Sequence, residues 1–234
     1  MIRRAIALLA APAALLAAAP AMAQNWNATF ADTPAQGHRV GDAEAPLQLV
    51  LFTSYTCPAC AAFDQQSEAQ LRYFYVHEGL AALEVRHLIR NPVDVAAALL
   101  AECGPDDRFF ANHKAILQNQ ADWIARAQGI GAQQQARWGS GTVASRMRAI
   151  ASDLELDELM EKQGLSRTQI DTCLSDEARA REIVAQSQAN AAEYTIPGTP
   201  SFVLNGDMLD GVHNWLALNQ ALSAARDSNT TVVE

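Results

Sequence analysis

Two cysteines three positions apart, in Cys57-Pro58-Ala59-Cys60, are the residues of this chain best suited to do chemistry. A pair at this spacing can pass between dithiol and disulfide within one helical turn. Its flanks support that chemistry. The apolar run Leu47-Gln48-Leu49-Val50-Leu51-Phe52 precedes it and predicts a buried strand, and a helix-like stretch follows. Thiols in the first turn of a helix are favoured as thiolates, because the unpaired N–H groups and the dipole face them. Cys57 reads as the nucleophile and Cys60 as the more buried resolving partner. The competing reading is half of a zinc site, which needs four ligands. The other cysteines, Cys103 and Cys173, are dispersed, and the five histidines show no ligand spacing. The redox reading therefore calls for no metal and no organic cofactor.

The elements that position the pair follow from periodicity and turn signals. A helix is predicted from Pro58 to about His77, with Phe63, Leu71 and Phe74 as packing residues and Gly79 as its stop. Leu83 to Ile89 reads as a second strand ending before Asn91-Pro92. Residues 24–46 form a polar arm with one edge strand at His38-Arg39-Val40. Residues 93–193 carry helical periodicity. They read as four or five helices broken near Gly104-Pro105, Gly129-Ile130-Gly131, Gly139-Ser140-Gly141 and Gly164. Ser166 and Gln169 have capping-box spacing for the helix holding Cys173. Ser201 to Leu204 is strand-like, Asn205-Gly206 is a hairpin turn signal, and Met208-Leu209-Asp210 is the return strand. A last helix runs from Trp215 to about Arg226, and the tail from Asp227 reads as frayed. The expected class is α/β: β-α-β over 24–91, an inserted helical subdomain over 92–193, β-β-α over 194–226 and a tail over 227–234. A structureless loop of about a hundred residues is rare, so the middle block must be a subdomain.

Composition bounds the partners. The 234-residue chain carries a formal net charge of −9, which offers little attraction to nucleic acid or anionic lipid. Arg3-Arg4, the apolar run Ala5–Ala19 and the Ala21-Met22-Ala23 site describe a cleaved secretory signal peptide, with the mature chain starting at Gln24. No later stretch is long and apolar enough to span a membrane, so a soluble exported protein is expected. Export points to an oxidising compartment where disulfides persist. There, Cys103 and Cys173 read as a structural disulfide, as two buried free thiols, or as a redox modulator of the first pair. Glu84, Arg86 and His87 on the second strand could relay a proton to Cys60; paired surface charge and a satisfied histidine is the plainer reading. Trp123, Trp138 and the methionines read as packing residues, and the clusters at Gly129 and Gly139 as helix connections.

Taken together, the chain resembles the DsbA-like envelope oxidoreductases of the thioredoxin superfamily. The residues that carry this run from His38-Arg39-Val40-Gly41-Asp42-Ala43-Glu44-Ala45-Pro46, through Phe52-Thr53-Ser54-Tyr55-Thr56-Cys57-Pro58-Ala59-Cys60 and Phe63, to Gly198-Thr199-Pro200-Ser201-Phe202-Val203-Leu204-Asn205-Gly206. The pair Cys103 and Cys173 is similar to the second pair of a branch common in alphaproteobacteria. The resemblance implies a thioredoxin fold with an inserted helical domain. It implies a cis Pro200 beside the cysteine pair, with Pro58, Ala59 and Thr199 as supporting residues. It also implies a periplasmic location, exported cysteine-containing proteins as substrates and a membrane redox partner of the DsbB type. Three departures point away from the strongly oxidising extreme: Ala59 in place of histidine, Thr199 in place of valine, and Leu51 in place of a buried acid. Cys57 is therefore expected to have a pKa between the values of about 3.5 in DsbA and about 7 in thioredoxin. A reductase or isomerase, and a peptide-binding chaperone whose disulfide is only structural, are the alternatives.

Overall fold

The computed structural model describes residues 24–231; the predicted signal peptide and the last three residues lie outside them. Six strands form one sheet: β1 (Phe30–Asp32), β2 (His38–Val40), β3 (Leu47–Thr53), β4 (Ala81–His87), β5 (Ser201–Leu204) and β6 (Asp207–Met208). Their order is β1-β2-β4-β3-β5-β6. β3 and β4 pair in parallel, with Leu51 opposite Val85 and Thr53 opposite His87; β3 and β5 pair antiparallel, with Leu51 opposite Phe202. The helical crossover that parallel neighbours require is supplied by α1 (Pro58–Gln70).

β3 reads as a nearly continuous apolar run because both of its faces are covered. Val50, Phe52 and Val203 pack against Tyr194, Ile196 and Met208 on one face. Leu49, Leu51, Leu83 and Val85 join the larger core on the other. That core continues into the helical block through α2 (Pro92–Ala101), in which every residue from Asp94 onward is buried. The block comprises α2, α3 (Phe109–Gln118), α4 (Gln120–Gly129), α5 (Ala132–Gln135), α6 (Val143–Asp153), α7 (Leu156–Lys162), α8 (Arg167–Leu174) and α9 (Glu177–Tyr194), and α10 (Trp215–Thr231) closes the fold. This is the expected α/β thioredoxin-like sheet with an inserted helical region.

Several expectations need correction. β2 is not an edge strand: β1 lies outside it, in an arm whose polar sequence hid the pairing. The first helix gives way after Gln70 to a π-helical turn, Leu71–Val76. There the i→i+5 spacing buries Leu71 but leaves Phe74 58% exposed, so Phe74 is not a packing residue. The block holds eight helices rather than four or five. The predicted glycine breaks are present, and further breaks fall at Asn119, at Leu154-Glu155 and at Ser175-Asp176, where no glycine marks them. The return strand is shifted to Asp207–Met208. The last helix continues through Asp227 to Thr231, because no glycine or proline stops its hydrogen bonds at Arg226. The Ser166–Gln169 capping box is formed as read.

Cys103 and Cys173 are disulfide-bonded, tying the end of α2 to α8 across 70 residues of sequence. Closing such a loop restricts the unfolded chain by up to about 4 kcal/mol in the chain-entropy treatment. The double variant Cys103→Ala/Cys173→Ala should therefore lose up to about 4 kcal/mol in urea unfolding. An unchanged midpoint and slope would show that the bond constrains nothing.

Candidate active site

Cys57 is the N-cap residue of α1, in extended backbone, and Pro58 occupies the first helical position, where its missing N–H costs nothing. The turn before it is built by a buried carboxylate. Asp94, fully inaccessible in the first turn of α2, accepts hydrogen bonds from Ser54 Oγ (2.9 Å), Thr56 N (2.8 Å), Thr56 Oγ1 (3.1 Å) and Arg90 N (2.9 Å). Asn91, the N-cap of α2, donates from Nδ2 to Thr56 Oγ1 at 2.9 Å. Gln120 of α4 then clamps the loop from the other side. Its Nε2 donates to the carbonyls of Tyr55 (2.6 Å) and Cys57 (2.9 Å). Two residues of the helical block thus fix the backbone on which Cys57 stands.

The second wall comes from the loop before β5. The Thr199–Pro200 peptide is cis. The Cys57 thiol donates to the Thr199 carbonyl at 3.2 Å. The loop is held by Ser201 Oγ, which donates to the Gly198 carbonyl at 2.9 Å, and by His213 Nδ1, 2.9 Å from the Pro200 carbonyl. Pro58 and Ala59 are exposed, Cys57 sits at the surface with little area of its own, and Cys60 is buried. The sequence-derived residues Cys57, Pro58, Ala59, Cys60, Thr199 and Pro200 therefore converge on one spot.

The two thiols are electrostatically unequal. The hydrogen bond from Cys60 to the Cys57 sulfur, with help from the Thr199 side chain and the N–H groups of Cys60 and Ala59, outweighs burial and lowers the Cys57 pKa to about 5. Cys60 is pushed far up, by its bond to Cys57 and by burial. At neutral pH the dithiol form holds its single negative charge on Cys57, and the proton stays on Cys60.

Other sequence-level candidates fall elsewhere. Glu84 is occupied by Arg86 (2.6 Å) and by the Thr33 hydroxyl (2.6 Å), and His87 faces Glu102. This leaves the plainer reading, paired charge, for Glu84 and Arg86. Trp123 is buried with its Nε1 donating to the Ile116 carbonyl, and Trp138 bonds Asp153. Three functional neighbours were not singled out from sequence. Asp94 had a visible signal, since it is the lone charged residue of an otherwise apolar helix. Gln120 had none. Asp64 lies one turn beyond Cys60 on α1, in a small cavity that Leu51 also lines, and its Oδ2 has no hydrogen-bond partner.

Comparison with known proteins agrees with this geometry. The thioredoxin family matches residues 33–224. A protein-disulfide isomerase of known structure from Novosphingobium aromaticivorans is 40% identical, with a TM-score of 0.78, covering 81% of this chain and 97% of that one. The alpha-DsbA1 of Wolbachia pipientis shares the fold at 16% identity and a TM-score of 0.68, covering 86% and 96%. A curated Rickettsia typhi protein, provisionally named a protein-disulfide oxidoreductase, is 26% identical over 168 residues, 71% of this chain and 54% of its own length. The chain thus spans about half the length of that relative.

Burial, with Glu68 adding to it and Lys114 opposing it, raises the Asp64 pKa to about 7. The folded value lies above the unfolded one, so folding favours the protonated acid. Its stability contribution is complete below about pH 4 and lost as pH rises through 7. Asp64→Asn should therefore stabilise the protein at pH 8 by up to about 4 kcal/mol and leave it unchanged near pH 4. Equal effects at both pH values in urea titrations would contradict this assignment. A thiol pair split in pKa at a helix start, a cis-proline wall beside it and the matched sequence lead to one family: the chain belongs to the thioredoxin family and shares the fold of the DsbA structures.

Proposed function

We propose that this protein is a periplasmic oxidant that transfers the Cys57–Cys60 disulfide to cysteines of exported, incompletely folded proteins. The observation that carries the reading is the opposite displacement of the two thiols, Cys57 down to about 5 and Cys60 far up. A thiolate that stable makes Cys57 a good leaving group and favours the reduced protein, which is the property of a disulfide donor.

In each cycle a substrate thiolate attacks Cys57 Sγ, the Cys57–Cys60 bond breaks, and Cys60 leaves and takes up a proton. A second substrate thiolate then attacks the substrate sulfur of the mixed disulfide, and Cys57 leaves as the thiolate. The substrate loses two electrons and the protein gains them. The exposed rim at Pro58 and Ala59 admits the substrate. The cis peptide before Pro200 presents the Thr199 backbone, which can pair with an extended substrate segment as a sheet edge does. Reoxidation falls to a membrane quinone-linked partner of the DsbB type. The signal peptide expected over residues 1–23 supports the periplasmic location.

A second reading, an isomerase or reductase kept reduced in the same compartment, is favoured by Thr199, by Ala59 and by the isomerase name of the 40%-identical relative. The chaperone alternative leaves the pKa split without a purpose. Cys60→Ala with Cys57 first oxidised to a mixed disulfide with glutathione should exchange with a reduced substrate protein, releasing glutathione and leaving a stable Cys57–substrate disulfide; Cys57→Ser treated in the same way should form none. Cys57 alkylation in the dithiol protein should follow a midpoint near pH 5. A midpoint near 8.5, the value of a free cysteine, would remove the basis for the proposal.

A further inference from the structure

His38, His87 and Glu102 come from three separate parts of the sequence, and the fold brings them together beside the second disulfide. His38 lies on β2, His87 ends β4, and Glu102 caps the C-terminus of α2 next to Cys103. One ligand atom from each lies within 4.8 Å of the others, and all three side chains are at least nine-tenths buried. Glu102 Oε1 is 3.3 Å from His38 Nε2 and 3.2 Å from His87 Nε2. The two ring nitrogens thus converge on a single carboxylate oxygen.

Hydrogen bonding accounts for His38, whose Nε2 is within bonding distance of Glu102 Oε1 at 3.3 Å, but not for His87. Neither ring nitrogen of His87 has a hydrogen-bond partner, and the 3.2 Å approach to Glu102 lies off the bonding direction. Glu102 is already held by Arg179, through Nε to Oε2 at 2.6 Å and Nη2 to Oε1 at 3.0 Å. A buried imidazole with both nitrogens unmet is costly. Nitrogen and oxygen ligands on one tetrahedral ion with bonds of about 2.0–2.1 Å lie about 3.3–3.4 Å apart, close to both separations here. The surroundings also fit. Asp32 Oδ1 is 2.9 Å from His38 Nδ1, the carboxylate–histidine arrangement that places the proton on Nδ1 and leaves the Nε2 lone pair free for a metal. A cavity of about 340 Å³ reaches His38 and Glu102 and carries the carboxylates of Asp32, Glu102, Asp106 and Asp176 against the single guanidinium of Arg179. A divalent ion there still leaves the carboxylates in excess.

We propose that His38 Nε2, His87 Nε2 and Glu102 Oε1 form a binding site for a zinc-class divalent cation, with Asp32 and Arg179 orienting two of the ligands. Two imidazoles and one carboxylate are a ligand set suited to zinc. A water from the cavity supplies the fourth position. The ion pins β2 and β4 to the end of α2, a structural role separate from the thiol chemistry.

The test uses protein with both disulfides formed, so that no thiolate can bind metal. Zinc is titrated in competition with a chromophoric chelator, and cobalt(II) is used as a spectroscopic probe. One zinc per chain is expected. The cobalt form should show the visible absorption of a four-coordinate nitrogen and oxygen site, without sulfur-to-metal charge transfer, and zinc should raise the thermal midpoint. His38→Gln and His87→Gln should each weaken zinc at least tenfold. Asp32→Asn, a change at an exposed side chain that leaves folding intact, should weaken it by about ten- to a hundredfold. Absence of saturable zinc binding by the unaltered protein overturns the site. So does binding whose affinity is the same in the histidine variants, or, if those do not fold, in Asp32→Asn.

Discussion

A negative charge at the start of α1 is the constraint around which this protein is organised. A thiolate at an N-cap is stable only when the N–H groups of the first turn face it and the neighbouring thiol keeps its proton. Both conditions depend on the backbone conformation of residues 54–57. Those residues make no helix or strand of their own; beyond the turn bond from Cys57 N–H to the Ser54 carbonyl, what holds them is side-chain hydrogen bonding: Asp94 to Ser54, Thr56 and Arg90, and Gln120 to the Tyr55 and Cys57 carbonyls. In a dry interior such bonds are strong and their loss is expensive, which makes the loop rigid rather than adaptable.

The inserted block therefore does more than cover the sheet. Asp94 and Gln120 both belong to it, so the conformation of the cysteine loop is set by helices that follow it in sequence. The Cys103–Cys173 bond ties the far end of α2 to α8, and α2 carries Asp94 at its near end. One short helix, buried from Asp94 onward, thus links the block's covalent cross-link to the active-site loop. The wall on the other side comes from the sheet instead, where the cis peptide precedes β5 and His213 and Ser201 hold its carbonyls.

Much of this was legible in the sequence, for identifiable reasons. β3 could be read because burial on both faces makes its residues apolar without interruption, and α1 because a proline at N1 and two cysteines mark its start. The capping box at Ser166 and the hairpin at Asn205-Gly206 are local rules, and both elements stand where those rules place them. The failures share a cause as well. β1 is three residues of a polar arm whose pairing with β2 is set by tertiary contact. The π turn at Leu71 rotates Phe74 out to solvent, and periodicity alone cannot register that. Gln120, and the meeting of His38 with His87, depend on long-range packing of residues whose local sequence carries no sign of it.

The reduction potential of the Cys57–Cys60 pair, measured in a glutathione series with Cys103–Cys173 kept oxidised, tests the central claim most directly. A thiolate stabilised as strongly as Cys57 predicts a value on the oxidising side, more positive than about −200 mV and approaching the −120 mV of the strongest such oxidants. A value near about −270 mV, that of thioredoxin, would contradict it and make the protein a reductase.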